Sequence, residues 1–309
     1  MSKLKFNISP YFDDFAESSS FQRILFRPNF SIQARELNQL QTILQDQISK
    51  LSGQFYQNGD YVRPGELVYT NNISYITLST DLTDAQITSL PGSVIGRTSG
   101  SRQIKCKVIT ATKRTGTDSA TLFVTYIESG GTDLVYSSGD IIYEVGGDGN
   151  ETSTQVGTVG TYSGLTAPSS GVTGKGSAVQ VKNGIYYING HFVYSGDLIL
   201  LLDKYTTTPT YRIGFTVAET AVNVDTDSTL YDNANGSPNY LAPGADRYKI
   251  ALSLSKVSAT DTTDTVNQKF VEICRVVSGV LKEETDFISN SVDKGILSER
   301  DYEESGNYV

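Results

Sequence analysis

Ala178-Val-Gln-Val-Lys-Asn-Gly-Ile-Tyr-Tyr-Ile-Asn-Gly-His-Phe-Val-Tyr-Ser-Gly-Asp-Leu-Ile-Leu-Leu-Leu202 sets four short apolar runs between the dipeptides Asn183-Gly184, Asn189-Gly190 and Ser195-Gly196. The runs are Ala178 to Lys182, Ile185 to Ile188, His191 to Tyr194 and Asp197 to Leu202. Asn-Gly supplies the positive φ angles that a two-residue type I′ hairpin turn requires, so spacing and turn chemistry agree. The stretch predicts a meander of short antiparallel strands and decides the class as mainly β.

The same period of two recurs on both sides. Downstream, Tyr248, Ile250, Leu252 and Leu254 alternate with Lys249, Ala251, Ser253 and Ser255, and Phe270 to Val277 reads as a further strand beyond the polar segment Ser258 to Asp264. Upstream, Ile104-Cys106-Val108 and Ala120-Leu122-Val124-Tyr126 alternate with Lys and Thr, the pattern of half-buried strands. Tyr61 to Tyr69, broken at Pro64-Gly65, Ile73 to Leu78 and Asp140 to Val145 complete a β-module, and the Gly-, Ser- and Thr-rich stretch from Gly146 to Gly176 predicts long loops or a linker. Asp293 to Glu304 predicts a short C-terminal helix.

Near the N-terminus the period changes. Ile32, Leu37, Leu40, Ile43, Leu44, Ile48 and Leu51 recur at three- and four-residue steps, which predicts one amphipathic helix with Ser31 as N-cap and Gly53 as its stop. Leu37, Leu40, Leu44 and Leu51 also fit a and d positions of three heptads. The stripe therefore serves one of two ends: seating the helix on a β-domain, or pairing copies of the chain. Residues 1–30 carry aromatics without a helical period, Tyr11, Phe12 and Phe15 among them, and read as an extended arm that must bury its rings on its own chain or on a neighbour.

These patterns divide the chain into an arm and helix at 1–55, a β-module at 56–165 and a meander domain at 166–309, each small enough for one core. With 25 Lys and Arg against 34 Asp and Glu, the net charge of -9 disfavours a nucleic-acid surface, where clustered cations supply the affinity. No 18-residue apolar run or secretory leader is present, so no membrane partner is expected. Cys106 and Cys274 lack CxxC spacing and read as small core residues.

Chemistry-bearing motifs are few. His191 is the single histidine and lies inside the predicted meander, so a triad or an imidazole metal site would rest on it alone. Gly174-Lys175 lacks the glycine and the hydroxyl residue that a phosphate-binding loop needs at 169 and 176, where Ser169 and Gly176 stand. The acidic pairs Asp13-Asp14, Glu283-Glu284 and Glu303-Glu304 are adjacent in sequence, which in a strand sends them to opposite faces. No residue is singled out as catalytic, and no cofactor or metal is expected.

Specific strings carry a resemblance. Asn7-Ile-Ser-Pro-Tyr-Phe-Asp-Asp-Phe15, Phe21-Gln-Arg-Ile-Leu-Phe-Arg-Pro28 and Ala34-Arg-Glu-Leu-Asn-Gln-Leu-Gln-Thr-Ile-Leu-Gln45, with Asp232-Asn-Ala-Asn-Gly-Ser-Pro-Asn-Tyr-Leu-Ala-Pro-Gly244 and Asp301-Tyr-Glu-Glu-Ser-Gly-Asn-Tyr308, resemble virion structural proteins of tailed phages, notably T4-like cyanophages, that carry an uncharacterised conserved domain. The resemblance is weakest at about 80–170, as in a variable insertion. It implies a baseplate or tail-fibre-attachment component of the virion, made in the host cytoplasm, without enzymatic activity, whose chain continues beyond the final string. The expected partners are further copies of the chain, a homotrimer first, and other baseplate or tail-fibre proteins. The candidate interface residues are Tyr11, Phe12, Phe15, Leu37, Leu40, Leu44, Ile48 and Leu51. A receptor- or glycan-binding fibre module and a polysaccharide-degrading tailspike stand as alternatives. The expected architecture is an N-terminal extended arm and one amphipathic helix followed by small β-barrel- or sandwich-like modules.

Overall fold

A computed structural model describes residues 6–63, 65–97, 103–130, 135–260 and 269–284. After the arm comes α1 (Ala34–Ser52), then β1 (Tyr61–Arg63), β2 (Leu67–Leu78), a short α2 (Asp84–Ser89), β3 (Val94–Arg97), β4 (Gln103–Thr112), β5 (Ala120–Gly130), β6 (Ile141–Val145) and β7 (Glu151–Thr158). The second half contains β8 (Thr173–Val181), β9 (Gly184–Ile188), β10 (His191–Ser195), β11 (Leu198–Asp203), β12 (Tyr211–Val222), β13 (Arg247–Ser258), β14 (Phe270–Val277) and β15 (Val280–Glu284). The mainly β class is as the alternation predicts. The sheets are open among the described residues, in three groups: β1-β9-β10, β11-β8-β2-β5-β4-β3-β6-β7 and β13-β12-β14-β15.

The strands of the meander form as the sequence predicts, but they pair differently. Of the three turn dipeptides of the meander, Asn189-Gly190 alone makes a hairpin turn, with both residues at positive φ, 50° and 88°, joining β9 to β10. At Asn183-Gly184 and Ser195-Gly196 the chain instead crosses between sheets, so β8 pairs with β11 and β2 while the β9–β10 hairpin joins β1. The Asp197 carboxylate accepts the Asn183 backbone N–H at 2.8 Å and ties the two crossings together. The Gly-, Ser- and Thr-rich stretch is also more ordered than a linker. Glu151–Thr158 forms β7 against β6, because Thr152, Thr154 and Val156 are β-branched and a partner edge is at hand. The predicted C-terminal helix lies outside the described residues.

Two cores form. One packs Ile76, Leu78, Ile95, Ile104, Cys106, Leu122 and Ile142 with Leu82 and Leu90, which flank α2. The other packs Val179, Val181, Tyr186 and Ile188 against Ile213, Phe215, Val271 and Cys274 of the β12–β14 sheet. β2 spans both, and its ladder to β8 slips between Thr70 and Ile73, where Asn71 and Asn72 bulge outward. No helix among the described residues is long and apolar enough to cross a membrane.

Cys106 and Cys274 are buried and form no disulfide, one in each of the two large cores, so they do not meet. Burial pushes the Cys106 thiol up to about 12, which leaves about one part in ten thousand as thiolate at pH 8. A thiol-reactive chromophore is expected to label neither cysteine in the folded chain and both after unfolding in concentrated guanidinium chloride. Rapid labelling of the native protein would contradict this packing.

Candidate functional site

α1 begins two residues later than Ser31 would place it. Gln33 is the N-cap, and its backbone N–H donates to the Glu36 carboxylate at 2.9 Å. Gly53 caps the other end, as its position just past the periodic run predicts.

The helix is docked by its polar side. Asn38 donates to the Tyr11 carbonyl at 3.4 Å, the Thr42 hydroxyl donates to the buried Asp13 carboxylate, Gln45 donates to the Gly190 carbonyl at 3.0 Å, and the Tyr187 hydroxyl donates to the Ser49 carbonyl at 3.1 Å. At about 100° per residue these positions lie across the helix from the apolar stripe. That stripe faces solvent: Leu37 is 47% exposed, Leu44 54%, Ile48 47% and Leu51 64%. Leu40 is half-buried at its margin, and Ile43 alone of the periodic apolar residues is fully buried. An amphipathic helix that turns its polar face inward leaves its apolar face uncovered by the described residues.

The arm behaves likewise. Polar contacts hold it along α1: Arg35 with Asp14 at 3.4 Å, Lys50 with Glu17 at 2.8 Å, and Gln47 donating to Gln22 at 3.0 Å. Phe12, Phe21, Leu25, Phe26, Phe30 and Ile32 remain exposed. The structure thus gathers Leu37, Leu44, Ile48 and Leu51 on one open face and leaves Phe12 open on the arm. Tyr11 and Phe15 are half-buried and turn inward, with the Tyr11 hydroxyl donating to Asp246 at 2.6 Å. Sequence reasoning missed the inward set of Asp13, Asn38, Thr42, Gln45 and Asp46. Their common period was visible, but polar spacing carries no sign of which face is buried.

Beyond the helix, Tyr56 packs against Tyr187 and edge-on to Phe192, both at 5.8 Å between ring centroids. Tyr186 and Tyr187 are buried, whereas Tyr194 is exposed. The Asp60 carboxylate accepts the Gln57 backbone N–H at 2.7 Å, and its own carbonyl accepts the Tyr187 N–H at 2.7 Å, which pins the helix exit to β9. Its second carboxylate oxygen is buried without a partner, and burial raises the Asp60 carboxyl above the usual range. A carboxyl raised in the fold contributes stability that is complete below its unfolded pKa, about 3.9, and lost as pH rises through the folded value. Asp60→Asn is therefore expected to gain stability over the parent chain as pH climbs from about 4 to about 7. Urea midpoints that keep a constant difference across that range would contradict it.

Among the described residues no three His, Cys, Asp or Glu side chains come together as metal ligands. His191 lies half-buried, 5.7 Å from the Tyr248 ring, and burial lowers its pKa. No described neighbour gives it the geometry of a triad. A family model described as Domain of unknown function (DUF4815) matches residues 9–87 and 164–309. The two matched segments flank 88–163, the stretch that contains β3 to β7. No curated protein and no solved structure matches the chain.

Proposed function

We propose that the chain, which belongs to the DUF4815 family, is a structural component of a tailed-phage virion, in the baseplate or anchoring a tail fibre to it. It acts by self-association and by docking onto neighbouring virion proteins, with three copies as the proposed assembly. The observation that carries this reading is the inside-out seating of α1, whose leucine and isoleucine stripe is open while its polar face is docked. Supporting it are the exposed apolar arm and the strings that resemble tailed-phage virion proteins.

Burial of such a stripe between copies stabilises assembly at about 25 cal/mol per Å² of apolar surface. The β-sheets are then free to present their loops to the next ring or fibre. Light scattering of the intact chain across micromolar concentrations is expected to give a multiple of the single-chain mass. A folded monomer throughout that range would overturn self-association.

A further inference from the structure

Asn-Gly pairs occur four times in the chain, at Asn58-Gly59, Asn183-Gly184, Asn189-Gly190 and Asn235-Gly236. Such a pair is chemically labile, because a glycine has no side chain to keep its backbone nitrogen from reaching the amide carbon of the asparagine before it. The fold treats the four unequally.

Three of them are locked. The Gly59 N–H donates to the Tyr187 carbonyl at 2.9 Å, while the Asn58 carboxamide accepts the Asn189 backbone N–H at 2.9 Å and donates to the Asn189 side-chain oxygen at 3.3 Å. Asn189 is 7% exposed, and its side chain also donates to Glu219 at 3.4 Å. Gly184 is buried and stands opposite Ser195 in the β9–β10 ladder. At each of these pairs the backbone must open before the nitrogen can reach the side chain, and an opening that costs about 1.4 kcal/mol already slows the reaction tenfold.

Asn235-Gly236 lies in the loop between β12 and β13 with both residues exposed. The Asn235 backbone N–H donates to the Asn233 carbonyl at 2.9 Å, but among the described residues neither the Asn235 carboxamide nor the Gly236 N–H has a hydrogen-bond partner. A Cβ built on Gly236 would meet nothing within 4 Å, so there is room for a ring to close. We propose that Asn235 is a site of spontaneous deamidation, with water as its one co-reactant. The Gly236 nitrogen attacks Cγ of Asn235; the new N–Cγ bond closes a five-membered succinimide, the Cγ–Nδ2 bond breaks, and Nδ2 leaves as ammonia with the proton that Gly236 gives up. Water then opens the ring. Addition at Cγ breaks the new bond and yields an aspartate, and addition at the main-chain carbonyl yields an isoaspartate that routes the chain through the side chain. Either product adds one carboxylate, so the net charge goes from -9 to -10 and each copy acquires a covalent mark of its age on an exposed loop. The reaction involves no residue of α1 and stands apart from self-association.

The test is peptide mapping by mass spectrometry after the full chain has been held for days in mildly alkaline buffer, beside a sample unfolded in guanidinium chloride. In the folded chain Asn235 is expected to convert at least about tenfold faster than Asn58, Asn183 or Asn189, and faster still as pH rises, since the attacking nitrogen must lose its proton. In the unfolded chain the four are expected to converge. Isoelectric focusing of the intact protein is expected to show one new acidic band that grows with time and is missing from Asn235→Gln. Equal conversion of all four in the folded chain, earlier conversion of any of the other three, or an unchanged Asn235 under conditions in which the unfolded chain converts overturns the proposal. An acidic band that persists in Asn235→Gln does so as well.

Discussion

Gly214→Ala is expected to cost about 4 kcal/mol, near the upper end of what single substitutions do. Gly214 lies in β12 between Ser255 of β13 and Glu272 of β14, where the β14 ladder shifts register between Ile213 and Gly214. A methyl group there would stand 2.1 Å from the Val271 carbonyl oxygen and 2.7 Å from its carbonyl carbon. Both atoms are backbone, so no side chain can swing aside. Relief requires β14 to move off β12, which breaks ladder hydrogen bonds worth about 1 kcal/mol each and opens the core beneath Ile213, Phe215 and Val271. Gly116→Ala, where an added Cβ meets nothing within 4 Å, is the control and is expected to stay within about 0.5 kcal/mol of the parent. Urea unfolding followed by circular dichroism compares them. A Gly214→Ala midpoint close to that of Gly116→Ala would mean that β12 and β14 do not pair in this register.

That register was beyond the reach of sequence, whereas the strands themselves were not. Alternation at Ile104 to Val108, Ala120 to Tyr126, Tyr248 to Leu254 and Phe270 to Val277 reports a local property, one face in and one face out, and each run became a strand. Pairing is not local. β8 sits beside β2, whose residues lie about a hundred positions earlier, and nothing in either run names the other. The same limit explains the turns. Asn183-Gly184 and Asn189-Gly190 have identical chemistry, yet only the second closes a hairpin, because the strand before the first pairs with β2 and β11 rather than with the strand that follows it. For the site, the periodic stripe of α1 was legible and its direction was not. What turns it outward is a set of hydrogen bonds from Thr42 to Asp13 and from Gln45 to Gly190, made across long stretches of chain.

The outward stripe gives the largest functional effect. Leu44→Glu together with Ile48→Glu is expected to reduce the proposed assembly to single chains while leaving the fold intact. Both side chains are about half exposed, and the substitutions remove none of the hydrogen bonds by which Gln45 and Ser49 seat α1. In an assembly they would lose about 1 kcal/mol of apolar burial each and place unpaired carboxylates in the seam, about 2–4 kcal/mol per interface in all. At 1.4 kcal/mol per tenfold, that is a weakening of roughly 30- to 1,000-fold. The comparison is the intact chain and the double variant by light scattering at matched micromolar concentrations, with thermal melting as the check on folding. Loss of assembly with an unchanged melt places the interface on α1. Retention of the assembled mass by the well-folded variant would move the interface off this helix, to the arm or the sheet edges. Loss of both mass and melt would show instead that the stripe supports the fold of its own chain.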